Sequence, residues 1–98
     1  MEKISPVIFT EKAISEIKHI FQQKKVPEEY LLRVTSSGNG CSGVDFKIGF
    51  DKVNSDDETY QLDGFKVAIS KKDFMFLIGV KVDFIDESHR RGFIFVEN

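Results

Sequence analysis

Ile14, Ile17, Ile20 and Phe21 recur at intervals of three and four, a spacing that stacks them on one face of a helix. The pattern predicts a helix over Thr10 to Lys25. Thr10 suits the cap of its free amides, Glu11 the positive end of its dipole, and Lys24 and Lys25 the negative end. Phe9 and Ile14 stand at the two positions of a hydrophobic staple, and Pro27 stops the helix from running on.

Beyond Pro27 the period falls to two. Leu32 and Val34 alternate with Arg33 and Thr35, and Val44, Phe46, Ile48 and Phe50 alternate with Asp45, Lys47 and Gly49. The second set is expected to be buried on one sheet face, under the helix. Asp63-Gly64 between Leu62 and Phe65 is the dipeptide of a tight hairpin turn in which both central residues take positive φ. Phe65, Val67 and Ile69 then share a face. Ser70 to Gly79 reads as a short helix with Ser70 and Asp73 as a capping box, an apolar stripe of Phe74, Leu77 and Ile78, and Gly79 as its stop. Val80, Val82 and Phe84 form another strand, Asp86 to Gly92 a charged turn, and Phe93 and Phe95 a final strand. The fold class is α+β and β-rich: about six short strands, one amphipathic N-terminal helix and one short internal helix.

Composition narrows the function classes. The chain has 98 residues, 41% apolar and 31% charged, the profile of one globular domain over residues 1–98 without linker or repeat. Fourteen basic residues against sixteen acidic ones give a net charge of −2, with no basic stripe, so nucleic acid is not an expected partner. No apolar run approaches the ~20 residues of a membrane span, and no secretory leader is seen at the amino end. One cysteine permits no internal disulfide, which fits a reducing, cytoplasmic setting. Ten phenylalanines supply much of the core.

Few residues carry chemistry. No phosphate-binding loop, dinucleotide fingerprint or histidine-rich metal spacing is present. His19 lies off the helix's apolar stripe and reads as an exposed polar residue. His89, beside Arg90 and Arg91, reads as a surface residue, with a role as an additional ligand left open. Asp56-Asp57-Glu58 reads as a solvated loop before a cation site, and Phe74-Met75-Phe76 as core before a cofactor box. The segment Ser36-Ser37-Gly38-Asn39-Gly40-Cys41-Ser42-Gly43 is different. A lone cysteine is usually a small buried hydrophobe. Here small, polar and glycine neighbours let a thiol be exposed and a backbone approach a bound group. A soft thiolate suits iron, copper(I), zinc or an iron–sulfur cluster. A ligand or reactive thiol and an inert loop cysteine both remain open from the residues alone. A redox role has little support, since no Lys, Arg or His lies within three positions of Cys41.

A helix opening Thr10-Glu11-Lys12-Ala13, a strand carrying Leu32-Arg33-Val34, and Gly40-Cys41-Ser42-Gly43 leading into an alternating strand resemble the A-type iron–sulfur carriers (HesB-like, IscA/SufA-like). The resemblance continues through Gly64 with Val67, Phe74 to Gly79, Val82-Asp83-Phe84 and Gly92-Phe93-Ile94-Phe95. It implies a HesB-like domain, a compact β-sandwich or pseudobarrel, that assembles as a homodimer or higher oligomer. It also implies non-enzymatic handling of iron or a [2Fe–2S]/[4Fe–4S] cluster, in exchange with a cluster-assembly scaffold and apo-protein clients. Family carriers use one cysteine in the loop and a Cys-Gly-Cys pair in a carboxy-terminal tail. Cys41, flanked by Gly40, Ser42 and Gly43, matches the first as metal and cluster ligand, and the 98 residues hold no counterpart of the pair. One thiolate per chain then calls for oligomerisation, an outside thiol such as glutathione, or nitrogen and oxygen ligands. The alternative is a tail-less, degenerate member that serves as a protein-interaction scaffold and binds no cluster.

Overall fold

The computed structural model describes residues 4–38 and 44–97. Its elements are β1 (Ile8–Phe9), α1 (Glu11–Gln23), β2 (Tyr30–Gly38), β3 (Val44–Lys52), β4 (Asp57–Leu62), β5 (Phe65–Ser70), α2 (Phe74–Leu77), β6 (Lys81–Glu87) and β7 (Arg90–Val96). The strands form two sheets, ordered β3-β2-β5-β4 and β1-β6-β7, which do not close into one barrel. Pairing is antiparallel except for β2 with β5 and β1 with β6. The β-rich α+β class stands as the sequence predicts.

The helix starts where its cap chemistry places it. Thr10 Oγ1 accepts from the Ala13 amide at 3.2 Å and donates to Asp83 Oδ1 of β6 at 2.6 Å. One hydroxyl thus caps α1 and tethers it to a sheet. The Thr10 hydroxyl, and after it the Phe84 amide, hold the Asp83 carboxyl below the usual carboxylate range. Strand β1 is not visible in the hydrophobic pattern, because two residues carry no period. It is fixed by backbone bonds: Ile8 N donates to Val80 O and Thr10 N to Val82 O, at 2.9 and 3.0 Å. At the other end α1 stops at Gln23. Lys25 turns left-handed at φ 50°, and Val26 N donates back to Phe21 O at 3.3 Å, closing the carbonyl end before Pro27.

Ala13 and Ile17 are the fully buried residues of α1, with Ile14 and Phe21 partly buried beside them. Ile17 joins Leu32 and Val34 of β2, Val67 and Ile69 of β5, Leu77 of α2 and Val82 of β6 in the centre of the core. Phe21 meets Phe50 edge-on at 4.9 Å and stacks on Phe65 at 6.1 Å. Phe46 of β3 meets Phe95 of β7 at 5.5 Å and links the two sheets. Phe46, Ile48 and Phe50 do share the core face, but they are half-buried because β3 is an edge strand. The expectation for the Val44 side chain lies outside the described residues.

Three local expectations are corrected. The Asp63-Gly64 hairpin forms with Leu62 opposite Phe65, but only Gly64 has positive φ, at 90°. A Cβ there would stand 3.2 Å from Lys18 Cε, so the turn is packed under α1. The internal helix is one turn, Phe74–Leu77, because Ser70 is spent as the last residue of β5 and Asp73 makes no side-chain cap. Phe74 and Leu77 pack inward as expected, whereas Met75, Phe76 and Ile78 are exposed. The charged turn Asp86 to Gly92 is a continuous hairpin, since Asp86 pairs with Arg91 and Glu87 with Arg90, opposite charges directly across the strands.

Burial sets the cost of truncation. Ile17→Ala should lower stability by ~2–5 kcal/mol, and Phe46→Ala, half-buried, by about 2 kcal/mol rather than the ~3–5 of a buried aromatic. Urea unfolding of both variants measures the difference. A larger loss for Phe46 than for Ile17 would contradict the layering.

Candidate functional site

The candidate ligand loop is carried by the β2–β3 hairpin. The arms pair in unbroken register from Tyr30 opposite Lys52 to Gly38 opposite Val44. Cys41, with Gly40, Ser42 and Gly43, lies outside the described residues. The sequence therefore stands as the source for that site, and the structure supplies its supports.

The nearest support is a buried carboxylate. Asp73 is 5% exposed, and its Oδ1 accepts from Ser36 Oγ at 3.0 Å. Ser36 stands on β2, opposite Phe46 and two residues before Gly38. This bond joins the start of α2 to the end of the strand that leads into the loop. The sequence offers Asp73 as a helix cap; the fold uses it 37 positions away.

The second support spans the four-stranded sheet. Arg33 sits on the outer face of β2, opposite Gly49 and Ala68. Its Nη1 and Nη2 donate to the two carboxylate oxygens of Asp57 on β4, at 2.8 and 2.6 Å, across the intervening β5. Nη2 also donates to Lys52 O at 2.8 Å, and Nε to Asp51 on β3 at 3.2 Å. On the face that the arginine crosses, β5 offers Lys66, Ala68 and Ser70, and the two nearest the Arg33–Asp57 line, Ala68 opposite Arg33 and Ser70 opposite Asp57, are small. The expectation of a solvated acidic loop at Asp56-Asp57-Glu58 is thus overturned for Asp57, whose side chain is 1% exposed. The hydrogen bonds donated by Arg33 hold the Asp57 carboxyl below the usual range, and their acceptance by Asp57 raises the guanidinium further. No local signal in the sequence pairs residues 33 and 57; alternation only puts Arg33 on the polar face.

Both histidines read as surface residues, and both are exposed. His19 is exposed on α1, and His89 is exposed at the tip of the β6–β7 hairpin. No group of three or more His, Cys, Asp or Glu side chains able to hold a metal occurs among the described residues.

Residues 6–98 match the family model of iron-sulphur cluster biosynthesis proteins. The chain belongs to this family. Among curated relatives of the iron-sulphur cluster biosynthesis family, the iron-sulfur cluster insertion protein ErpA of Hydrogenovibrio crunogenus is 36% identical over 98 residues, 99% of this chain and 85% of that protein. Escherichia coli SufA, a protein involved in biosynthesis of iron-sulfur clusters, superposes with a TM-score of 0.76 at 24% identity, covering 93% of this chain and 79% of its own. An IscA structure with a [2Fe-2S] cluster gives 0.74 at 22% identity, covering 93% and 84%. The family resemblance carried by the helix, the glycine-flanked cysteine and the closing strand therefore holds, and the fold is that of the IscA and SufA structures. Among the described residues, no helix is long and apolar enough to cross a membrane.

Asp57→Asn should destabilise the domain by about 3 kcal/mol at pH 7, since it leaves the Arg33 charge short of its main partner. The depressed carboxyl contributes stability above the unfolded value of ~4 and loses it as pH falls through the lower folded value. The gap between wild type and variant should therefore shrink as pH falls below about 4. Urea midpoints across that range measure it; a gap independent of pH would mean the pair is not ionic.

Proposed function

We propose that the protein carries iron or an iron–sulfur cluster, [2Fe–2S] or [4Fe–4S], on Cys41 and passes it to apo-proteins. The observation that carries this reading is the family match over residues 6–98 together with a lone cysteine in a Gly-Cys-Ser-Gly segment between two paired strands. The names of the relatives, cluster insertion and cluster biosynthesis, support it.

The ligand count shapes the mechanism. A cluster usually takes four thiolates or substitutes, and these 98 residues contain one cysteine. A symmetric homodimer with the two loops facing each other supplies two Cys41 thiolates, and glutathione or a second pair of chains supplies the rest. Gly40 and Gly43 put no side chain beside the sulfur, and Ser42 adds only a small hydroxyl. Delivery is ligand exchange: each iron–Cys41 bond is replaced by an iron–cysteine bond of the client, and the client's thiol proton is released as its thiolate binds. The cluster leaves as it arrived, so the role is carriage rather than catalysis. A reducing cytoplasm, which keeps Cys41 a thiol, is the matching setting.

Anaerobic reconstitution with iron, sulfide and glutathione should give visible charge-transfer bands, at no more than one cluster per two chains. Glutathione should raise the yield, and Cys41→Ser should abolish the bands completely. A thiol reagent should label Cys41 in the native protein at nearly the unfolded rate, and Cys41→Ser should leave thermal stability almost unchanged. A cluster retained in Cys41→Ser, or iron and sulfide at background with glutathione present, would replace carriage with the scaffold role.

A further inference from the structure

Large apolar side chains stand in water around α2. Met75 is 77% exposed, Phe76 and Ile78 54% each, Ile4 91% and Ile8 52%. They form one neighbourhood because Gly79 N donates to Pro6 O and Ile8 N to Val80 O, both at 2.9 Å, laying the chain before α1 alongside the chain after α2. Ile4 and Met75 also share a groove of about 610 Å³ with Phe74 and Tyr60. Adjoining exposed apolar residues of this kind mark an interaction surface, whereas single ones do not.

The charge around the patch selects its occupant. The stretch from residue 71 to 81 exposes Lys71, Lys72 and Lys81, and its one carboxylate, Asp73, is buried against Ser36. Among the described residues these three lysines make no ion pair. Half-buried Glu58, which has an interaction of its own, lines the groove beside Lys71, and exposed Asp56 stands two residues before it on the β4 side. The chain as a whole has a net charge of −2, so this lysine-flanked apolar surface is a local exception. A second copy docked through the same patch would bring the same three lysines with only Asp56 and Glu58 to answer them, whereas a carboxylate-rich segment answers all three. We propose that Met75, Phe76 and Ile78, with Ile4 and Ile8, dock an acidic client: a segment of the apo-protein with apolar anchors flanked by carboxylates. This rests on the carriage role. The Ser36–Asp73 bond places the start of α2 against the strand that leads to Cys41, so a client held here is held beside that strand.

Two labelled peptides with the same leucine and phenylalanine anchors, one flanked by glutamates and one by lysines, test the surface by fluorescence anisotropy. The glutamate peptide should bind about tenfold tighter, with the difference falling at high salt. Met75→Ser with Phe76→Ser should weaken it about tenfold, and Lys71→Glu with Lys72→Glu should erase the preference. On the wild-type protein, amide shifts on titration should centre on residues 4–8 and 71–81. Cys41→Ser should bind the peptide as wild type does, so docking and cargo binding are read separately. Equal affinity for the two peptides, or undiminished binding by the serine variants, would overturn the proposal. So would a wild-type dimer in sedimentation that the serine variants dissociate, since the patch would then be covered by a second copy.

Discussion

Arg33 projects from the outer face of β2, and its guanidinium makes four hydrogen bonds, to Asp51 and Lys52 on one side and to Asp57 on the other. The reach to Asp57 crosses β5, roughly 10 Å between the outer strands at two interstrand spacings. Only a long side chain with a planar fork spans that distance and still meets a carboxylate with two bonds. The clamp ties both edge strands to a central one, so the β2–β3 arms and the β4–β5 hairpin cannot slide independently. Because a slip of one residue would reverse every side chain of a strand, this polar clamp protects the apolar face beneath it. Leu32, Val34, Val67 and Ile69 stay on the core side while Arg33 and Asp57 hold the other.

The helix is seated by a similar economy. Thr10 uses its hydroxyl twice, as acceptor for the first turn and as donor to Asp83, so the helix start and its attachment to the three-stranded sheet form together. From there Ile17 enters the centre of the core, and Phe21 reaches Phe50 and Phe65 of the four-stranded sheet. With β1 pairing to β6 on the other side of Thr10, the first two dozen residues join both sheets. A domain of this size has little core to spare, and that arrangement places its one long helix against most of it.

The proposed cargo loop on such a frame has a plain physical logic. Binding groups sit most usefully on short connections between rigid elements. The arms of β2 and β3 are paired in unbroken register, and Ser36 ties one of them to Asp73 at the start of α2. The same short helix turns its second and third residues, Met75 and Phe76, outward. Phe74 and Leu77, three apart, take the core face of this single turn, so Met75 and Phe76 between them fall on the opposite face.

Local chemistry made much of this legible. The 3.6 period of α1, the cap at Thr10, the alternation along β3 and the Asp63-Gly64 turn depend on neighbours within a few residues, and each is found where the sequence predicts it. Cys41 is a proposal of the same local kind, a lone thiol among glycines within a family pattern, and lies outside the described residues. Tertiary structure decided what depends on distant partners. Arg33 and Asp57 are 24 positions apart, Ser36 and Asp73 37, and Thr10 and Asp83 73. No periodicity links such pairs, so the acidic run looked solvated and Asp73 looked like a cap. The exposure of Met75, Phe76 and Ile78 belongs with them: apolar spacing names the candidates for a core, but only the packed neighbours settle which of them water reaches.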